Sequence, residues 1–301
     1  MRRIDRILLA ISRHHPGRVE LRAARLAPQL GIEAFDVLAL KRGGASTAVS
    51  HARIDGAALR VLVDGQARAL SPGLFPDELE NTWVMKRGQP DQVLAEAAER
   101  IGAGLLLAAA HAGPRLPSWV RSSRNVELLR ACGTPVLLVQ GEARSDYRTV
   151  VVACDFSRAA LASARIAALL APGARFVFVH ACVLPEETLM RELELPPRVI
   201  RAGREHACAA ARRRLEEFVG LFLEEVDAPV CEVGLGRPHT VICDCARRHG
   251  ADLLVLGRGA LHPGAWLSCS NVMQRLVDEA PCDLLIGPGR QGGDCDRRLA
   301  A

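Results

Sequence analysis

An apolar run in the second half of the chain ends in a glycine-containing segment, LLVLGRGALHPGAWLSCSNVM, over residues 253–273. Glycine allows positive φ angles and lets backbone N–H groups come close to phosphate oxygens. A predicted helix opening at Ser270-Asn271 would add free N–H groups and a positive dipole end, and Arg258 could add charge. The segment is therefore a candidate phosphate-binding loop, with glycines at Gly257, Gly259 and Gly264.

Two histidine–cysteine pairs lie upstream of this loop. His239 and Cys243 are four residues apart, as are Cys245 and His249, within one predicted helix, Pro238–His249. Either pair could begin a zinc site. The helix turns by about 200° between the two cysteines, so the four side chains cannot share one ion. Buried cysteines packing on a sheet are the favoured interpretation, and no metal is predicted.

Catalytic chemistry has little support in the sequence. A hydrolase needs a nucleophile or a base aimed at a defined atom. Asp155 is the only acid predicted at the mouth of the pocket, and no Ser-His-Asp set or carboxylate pair accompanies it. We therefore expect a protein that binds a ligand and at most hydrolyses ATP weakly.

Composition narrows the class of protein further. The formal net charge is +5, but the only lysines are Lys41 and Lys86, and no basic tract is interleaved with aromatic residues. This argues against a nucleic-acid partner. Apolar runs are too short for a membrane span or a signal peptide, so a cytoplasmic protein is predicted. Of ten cysteines only Cys132 precedes residue 150, unlike a disulfide framework.

The chain contains an internal repeat. The segments 87–110 and 235–258 align without gaps at an offset of 148 residues, and 126–139 resembles 273–286. The strand-like segments 6–12 and 149–155 also correspond. Two copies of one domain are therefore predicted, over residues 1–142 and 146–290, joined by a short polar linker.

The second copy alternates strand and helix patterns. The predicted strands are 149–154, 176–179, 229–233, 253–256 and 282–286; the predicted helices are 157–173, 203–225, 238–249 and 270–280. A long loop holding Pro185, Pro196 and Pro197 precedes the second helix. Continuous apolar strands joined by helices predict a parallel sheet covered on both faces, in an α/β doubly wound domain. Ligands bind such sheets beyond the carboxyl ends of the strands, where the winding reverses.

This order of elements, the repeat and the loop together resemble a tandem universal stress protein. The details CDLLIGPG (282–289), ELP (194–196) and LLRAC (128–132) resemble the universal stress protein E type. The resemblance implies two five-stranded parallel sheets of order 3-2-1-4-5 with helices on both faces, in an adenine nucleotide alpha hydrolase-like fold. Some family members bind ATP through an Asp ending the first strand and a loop of pattern Gly-x2-Gly-x9-Gly-Ser/Thr.

The second copy keeps part of this pattern. Asp155 ends its first strand and Gly257 matches the first loop glycine, whereas Ala260 and Ser270 replace the other two and Asn271 replaces the Ser/Thr. The loop is therefore interpreted as weakened. The resemblance implies that ATP or ADP binds in the C-terminal domain only, through residues at the strand ends, the loop and the last helix: Ala153, Cys154, Asp155, Ala181, Leu256, Gly257, Arg258, Gly259, Ser270, Asn271 and Val272.

The first copy has lost the motif. Its equivalent positions are Ala109, Ala112, Ser122 and Ser123, and Ser12-Arg13 replaces the Asp. We expect either a scaffold that packs against the second copy or a changed pocket, lined by His111, Arg115, Trp119 and Ser122.

The function predicted is that of a non-catalytic stress-response binding protein. The alternative is a small-molecule or lipid-fragment carrier that uses apolar space under the 183–202 loop and binds no nucleotide. Fusion predicts an intramolecular pseudo-dimer of the two domains, with the last strands 136–139 and 284–286 as candidate pairing edges, and leaves room for a homodimer.

Overall fold

The computed structural model describes residues 4–11, 17–43, 46–55, 84–87, 89–110, 123–141, 143, 145–182, 184, 187–222, 226–258 and 266–288. The chain divides into two compact units, Met1–Ser145 with Ile286–Ala301, and Asp146–Leu285. Within the described residues, no helix combines the length and the apolar character that crossing a membrane requires.

The second unit has five strands and five helices in its described residues. In chain order these are β7 (Thr149–Ala153), α4 (Arg158–Leu170), β8 (Arg175–Cys182), α5 (Glu187–Glu192), α6 (Pro197–Gly220), β9 (Val230–Leu235), α7 (Pro238–His249), β10 (Leu253–Leu256), α8 (Trp266–Glu279) and β11 (Asp283–Ile286). The strands lie in the order β9-β8-β7-β10-β11. This is the predicted order 3-2-1-4-5, and the pairs from β9 to β10 are parallel.

The first unit comprises β1 (Ile7–Ile11), α1 (Arg18–Leu30), β2 (Ala34–Gly43), β3 (Ser46–Asp55), β4 (Val84–Arg87), α2 (Pro90–Arg100), β5 (Leu105–Ala109), α3 (Ser123–Ala131) and β6 (Val136–Val139). Its strand order is β4-β3-β2-β1-β5-β6. Every residue of β1, β5 and β6 is buried, because helices cover apolar strands on both faces. The predicted doubly wound α/β class is confirmed.

The first unit departs from a purely parallel sheet of five strands. β3 runs antiparallel to both β2 and β4. β4 therefore has the same direction as β2, and β3 is an additional strand between them. The sequence comparison did not reach this region, because the gapless similarity between the copies begins only near residue 87. An internal repeat predicts only the elements that both copies share, and β3 has no counterpart among the described residues of the second copy.

The polar segment that follows β6 is held by arginines of α1. Arg18 Nη1 donates to the carbonyl of Gln140 at 3.0 Å, and Arg25 Nε donates to that of Ala143 at 2.7 Å. Arg22 Nη1 donates to the carbonyl of Ser145 at 3.0 Å. These three side chains lie on one face of the helix and satisfy carbonyls that no strand pairs.

The largest differences from the predicted boundaries of the second unit lie before its long helix. The long helix α6 begins at Pro197 rather than at 203, and α5 occupies part of the predicted loop. Proline is well suited to a first helical turn, because its missing N–H would be unpaired there anyway. Glu187 of α5 accepts hydrogen bonds from Arg191 and from Arg204 of α6, which ties the two helices together.

Candidate functional site

The two retained motif residues follow neighbouring strands. Asp155 comes just after β7 and Gly257 just after β10; these strands pair in parallel, with Ala153 opposite Leu256. The strand order places the reversal of winding between β7 and β10, since β8 lies beyond β7 and β11 beyond β10. This is the carboxyl edge at which doubly wound sheets bind ligands.

Asp155 opens the helix that follows β7. Its Oδ1 accepts the backbone N–H of Ser157 at 3.0 Å, and Ser157 Oγ accepts that of Ala160 at 3.1 Å. Ser157 is therefore the N-cap of α4, as predicted. Among the groups that the structure describes, no other donor bonds the Asp155 carboxylate, so Oδ2 is available to a ligand hydroxyl.

Phe156 adopts a backbone conformation that a bulky residue rarely takes, with φ 61°. Its surroundings hold it there: the His180 ring lies 4.3 Å away between centroids, and Arg214 Cζ lies 4.3 Å from the Phe156 centroid. Phe218 meets the ring edge-on at 6.0 Å. Strain of this kind persists only where packing compensates for it, and it concentrates at functional sites.

His180 links the ends of β7 and β8. Its Nδ1 donates to the carbonyl of Cys154 at 2.7 Å, because a carbonyl oxygen can only accept. Next to it, Ala181 is half-buried. The sequence analysis missed Phe156, His180 and Arg214; the first two adjoin predicted site residues, but Arg214 lies in a long helix whose facing strands only the fold reveals.

Cys154 lies at the site without being a nucleophile. Burial, and to a lesser extent the negative charge of Asp155, raise the pKa of this thiol well above its usual value. The thiolate is the reactive form of cysteine, so Cys154 is inert at neutral pH. Burial likewise raises the pKa of Cys243 to about 11, and the eight cysteines whose side chains the structure describes are free thiols.

Gly257 is required by packing. A Cβ built on it would lie 2.4 Å from the backbone nitrogen and 2.6 Å from the Cα of Ala160, in the first turn of α4. Its φ lies outside the left-handed region, so close approach rather than a positive φ requires glycine at this position. The close approach here is between a helix and a strand end, and it accounts for this glycine without a phosphate.

The start of the last helix also differs from the prediction. α8 begins at Trp266, so the backbone N–H groups of Ser270 and Asn271 lie past the first turn and bond within the helix. The free N–H groups belong to the turn that begins at Trp266. Arg258 and Val272 are half-buried; Gly259, Ala260 and Gly264 lie outside the described residues.

The predicted pocket of the first unit cannot be assembled from the residues described. Its proposed lining, His111, Arg115, Trp119 and Ser122, lies outside them, as do Ser12, Arg13 and Ala112. Ala109, the counterpart of Gly257, is the buried last residue of β5, and Ser123 begins α3.

Comparisons with known proteins agree with this architecture. Residues 146–288 match the model of the universal stress protein family. A search of curated proteins found no match. A crystal structure of a universal stress protein from Archaeoglobus fulgidus DSM 4304 is similar over 95% of this chain and 97% of that chain, with 16% identity and a TM-score of 0.59.

A functionally unknown protein from Pseudomonas aeruginosa PAO1 is similar over 95% of this chain and 93% of that chain, with 18% identity and a TM-score of 0.55. At these identities the structural likeness concerns the fold. The family match rests on the second unit, where Asp155 and Gly257 lie at the switch point of the sheet. The second unit of this chain is therefore similar to a domain of the universal stress protein family, over residues 146–288.

Proposed function

We propose that the second unit binds an adenine nucleotide, ATP or ADP, at the carboxyl edge between β7 and β10, and that the protein is a non-catalytic, cytoplasmic stress-response protein of the E type. The observation that carries this is the placement of Asp155 beside the end of β10, at the switch point. A carboxylate there can accept hydrogen bonds from ribose hydroxyls. Arg258, half-buried after β10, would supply positive charge to the phosphates.

Helix ends support the same proposal. The Ser157 side chain satisfies one N–H in the first turn of α4, and α8, which follows β10, brings the first-turn N–H groups of a second helix. Anionic groups bind favourably at such N-termini. Gly257 carries little weight in this proposal, because helix packing accounts for it. The first unit has no acidic residue at the position of Asp155, so we propose that nucleotide binds in the second unit only.

Replacing Asp155 with asparagine should weaken ATP binding by about tenfold, equivalent to about 1.4 kcal/mol. Asparagine keeps an oxygen for the N–H of Ser157, so the turn survives while the charge is lost. Titration calorimetry on the full chain measures the effect. Asp244→Asn is the matched control, because Asp244 is an exposed carboxylate paired with Arg247 on α7. Equal affinities in wild type and Asp155→Asn would refute the assignment.

Restoring the family glycines should strengthen binding if their absence is what weakens the loop. We expect Ala260→Gly/Ser270→Gly to tighten ATP binding by about 1–2 kcal/mol, or about tenfold, through the glycine at residue 260, because a Cβ in a phosphate-binding loop disfavours positive φ. Ser270→Gly alone is the control, since glycine inside α8 costs about 1 kcal/mol of helix stability. Unchanged or poorer calorimetric affinity in the double variant would indicate a loop rebuilt for another ligand.

One observation favours the alternative of an apolar carrier. Leu189, Leu193 and Val199 are 53%, 63% and 41% exposed, where α5 leads into α6. Exposed apolar groups in one segment are typical of binding surfaces. Mass spectrometry of the purified protein separates the two functions: a nucleotide that copurifies supports the first, and an acyl chain supports the carrier.

We propose that the two domains pair within one chain, as single-domain relatives do by dimerising. Sedimentation of the full chain at increasing concentration tests for a further homodimer, and a monomer at all concentrations would exclude one.

A further inference from the structure

A second group of titratable side chains lies away from the candidate nucleotide site. Glu232 of β9 meets Cys245 and His249 of α7, and the potential ligand atoms of all three lie within 4.8 Å of one another. Cys245 is buried, and the other two are half-buried. His249 ends α7 and contacts Arg175 at the start of β8, so the group lies toward the amino ends of the strands.

Hydrogen bonds hold this group together in the absence of an ion. His249 Nε2 donates to Glu232 Oε1 at 2.5 Å, and Arg248 donates to Glu232 Oε2 at 2.8 Å. Arg175 Nη2 donates to His249 Nδ1 at 3.0 Å, so Nδ1 is an acceptor here and the ring proton that bonds Glu232 is on Nε2. The Cys245 thiol also hydrogen-bonds Glu232.

We propose that Glu232, Cys245 and His249 form a binding site for one zinc ion or a similar borderline-soft divalent cation. Sulfur, imidazole nitrogen and carboxylate oxygen are the donors that zinc takes in proteins, at about 2.0–2.3 Å. The ion would take the place of the thiol proton, which is released to solvent, and of the His249 Nε2 proton, which is replaced by a proton on Nδ1. Thiolate and carboxylate together would neutralise its charge, and a water would complete the tetrahedron.

The i, i+4 spacing explains why the helix presents two ligands together. Cys245 and His249 are neighbours on one face of α7, and β9 supplies the third ligand. A bound metal ion lowers the proton affinity of the sulfur that coordinates it. A buried thiol that is neutral without the ion can therefore lose its proton and become a ligand when the ion binds. Arg248 can keep its bond to Glu232 Oε2 while Oε1 binds the metal, which would orient the carboxylate.

Arg175 opposes metal binding at this site. A metal on Nε2 requires the His249 proton on Nδ1, and Nδ1 then cannot accept from Arg175. Arg175 is exposed, so its side chain can turn into solvent. Where the Arg175 side chain stays near His249, its positive charge weakens cation binding. The site should therefore be tighter when residue 175 accepts a hydrogen bond instead of donating one.

The other pair on the same helix provides a matched contrast. His239 Nε2 lies 3.2 Å from Arg275 Nη1, and Cys243 Sγ contacts the carbonyl of Glu279 at 3.9 Å. In the part of the chain that the structure describes, no third metal-ligating side chain joins this pair. Residue types and spacing are alike in the two pairs. What distinguishes Cys245 and His249 is the third ligand, Glu232, which β9 supplies.

Zinc titration of the chelator-treated full chain tests the proposal. We expect one zinc per chain by calorimetry and, with cobalt as the probe, a charge-transfer absorption from thiolate to metal. Cys245→Ser should abolish that absorption and weaken zinc binding at least tenfold, and Glu232→Gln and His249→Gln should weaken it comparably. Cys243→Ser and His239→Gln should leave both measurements unchanged.

The possible failures are distinct. Absence of stoichiometric zinc binding in the wild type, or equal losses in Cys243→Ser and Cys245→Ser, would overturn the site. If circular dichroism shows that Cys245→Ser is unfolded, the half-buried Glu232→Gln and His249→Gln variants decide. Arg175→Gln, which can accept from His249 Nδ1, should tighten zinc binding several-fold, and a weakened affinity would contradict the coordination proposed.

Discussion

Replacing Gly257 with alanine is expected to lower the free energy of unfolding of the second unit by about 2–4 kcal/mol. The new Cβ would lie 2.4 Å from the backbone nitrogen of Ala160, and backbone cannot turn aside as a flexible side chain can. α4 would have to move away from β10, with loss of the packing between them. The N-terminus of α4, where Asp155 and Ser157 lie, would move with it.

Hydrogen exchange measured on peptides from β10 and α4 reports the loss of stability in the second unit itself. A local measurement is needed because a chain of two units need not unfold in a single step. Gly220→Ala is the matched control. Gly220 is the last residue of α6, and a Cβ there would meet nothing within 4 Å. We expect that variant to be neutral or slightly more stable, because alanine favours helix. Equal protection in the two variants would contradict the packing role of Gly257.

Replacing Phe222 with alanine is expected to lower the free energy of unfolding by about 3–5 kcal/mol. The side chain is fully buried, and its ring centroid lies 5.7 Å from that of Phe176 and 5.4 Å from that of Phe178. Removing it leaves a cavity between β8 and the segment that follows α6. The same cluster positions α6, which carries Phe218 and Arg214 to Phe156, so ATP binding should weaken as well.

The neighbouring residue provides the control for this prediction. Leu221 is 63% exposed, and Leu221→Ala should change stability by no more than about 0.5 kcal/mol. Urea unfolding followed by circular dichroism measures both variants. A loss of similar size in Leu221→Ala, or a loss below 1 kcal/mol in Phe222→Ala, would mean that the aromatic cluster does not hold α6.

Much of the second unit was predictable because its local patterns agree with its tertiary structure. The bounds of α7 and β10 match the prediction, and Ser157 caps α4 as expected. Apolar strands, capping residues and helix-starting prolines act over a few residues, so they are visible in sequence. The start of α8 was missed because the family motif, rather than local helix signals, had placed it at Ser270.

By itself, the sequence determined the α/β class and the position of Asp155 at the end of a strand, because the hydrophobic pattern encodes them, whereas the strand order of the second unit was an expectation from the resemblance to the universal stress protein family. Only the tertiary structure decided what Gly257 contacts, which side chains surround Phe156, and that Glu232 joins Cys245 and His249 while no described residue joins His239 and Cys243 in the same way. Each depends on residues distant in the chain, whose proximity follows from how helices pack on the sheet and leaves no trace in local spacing.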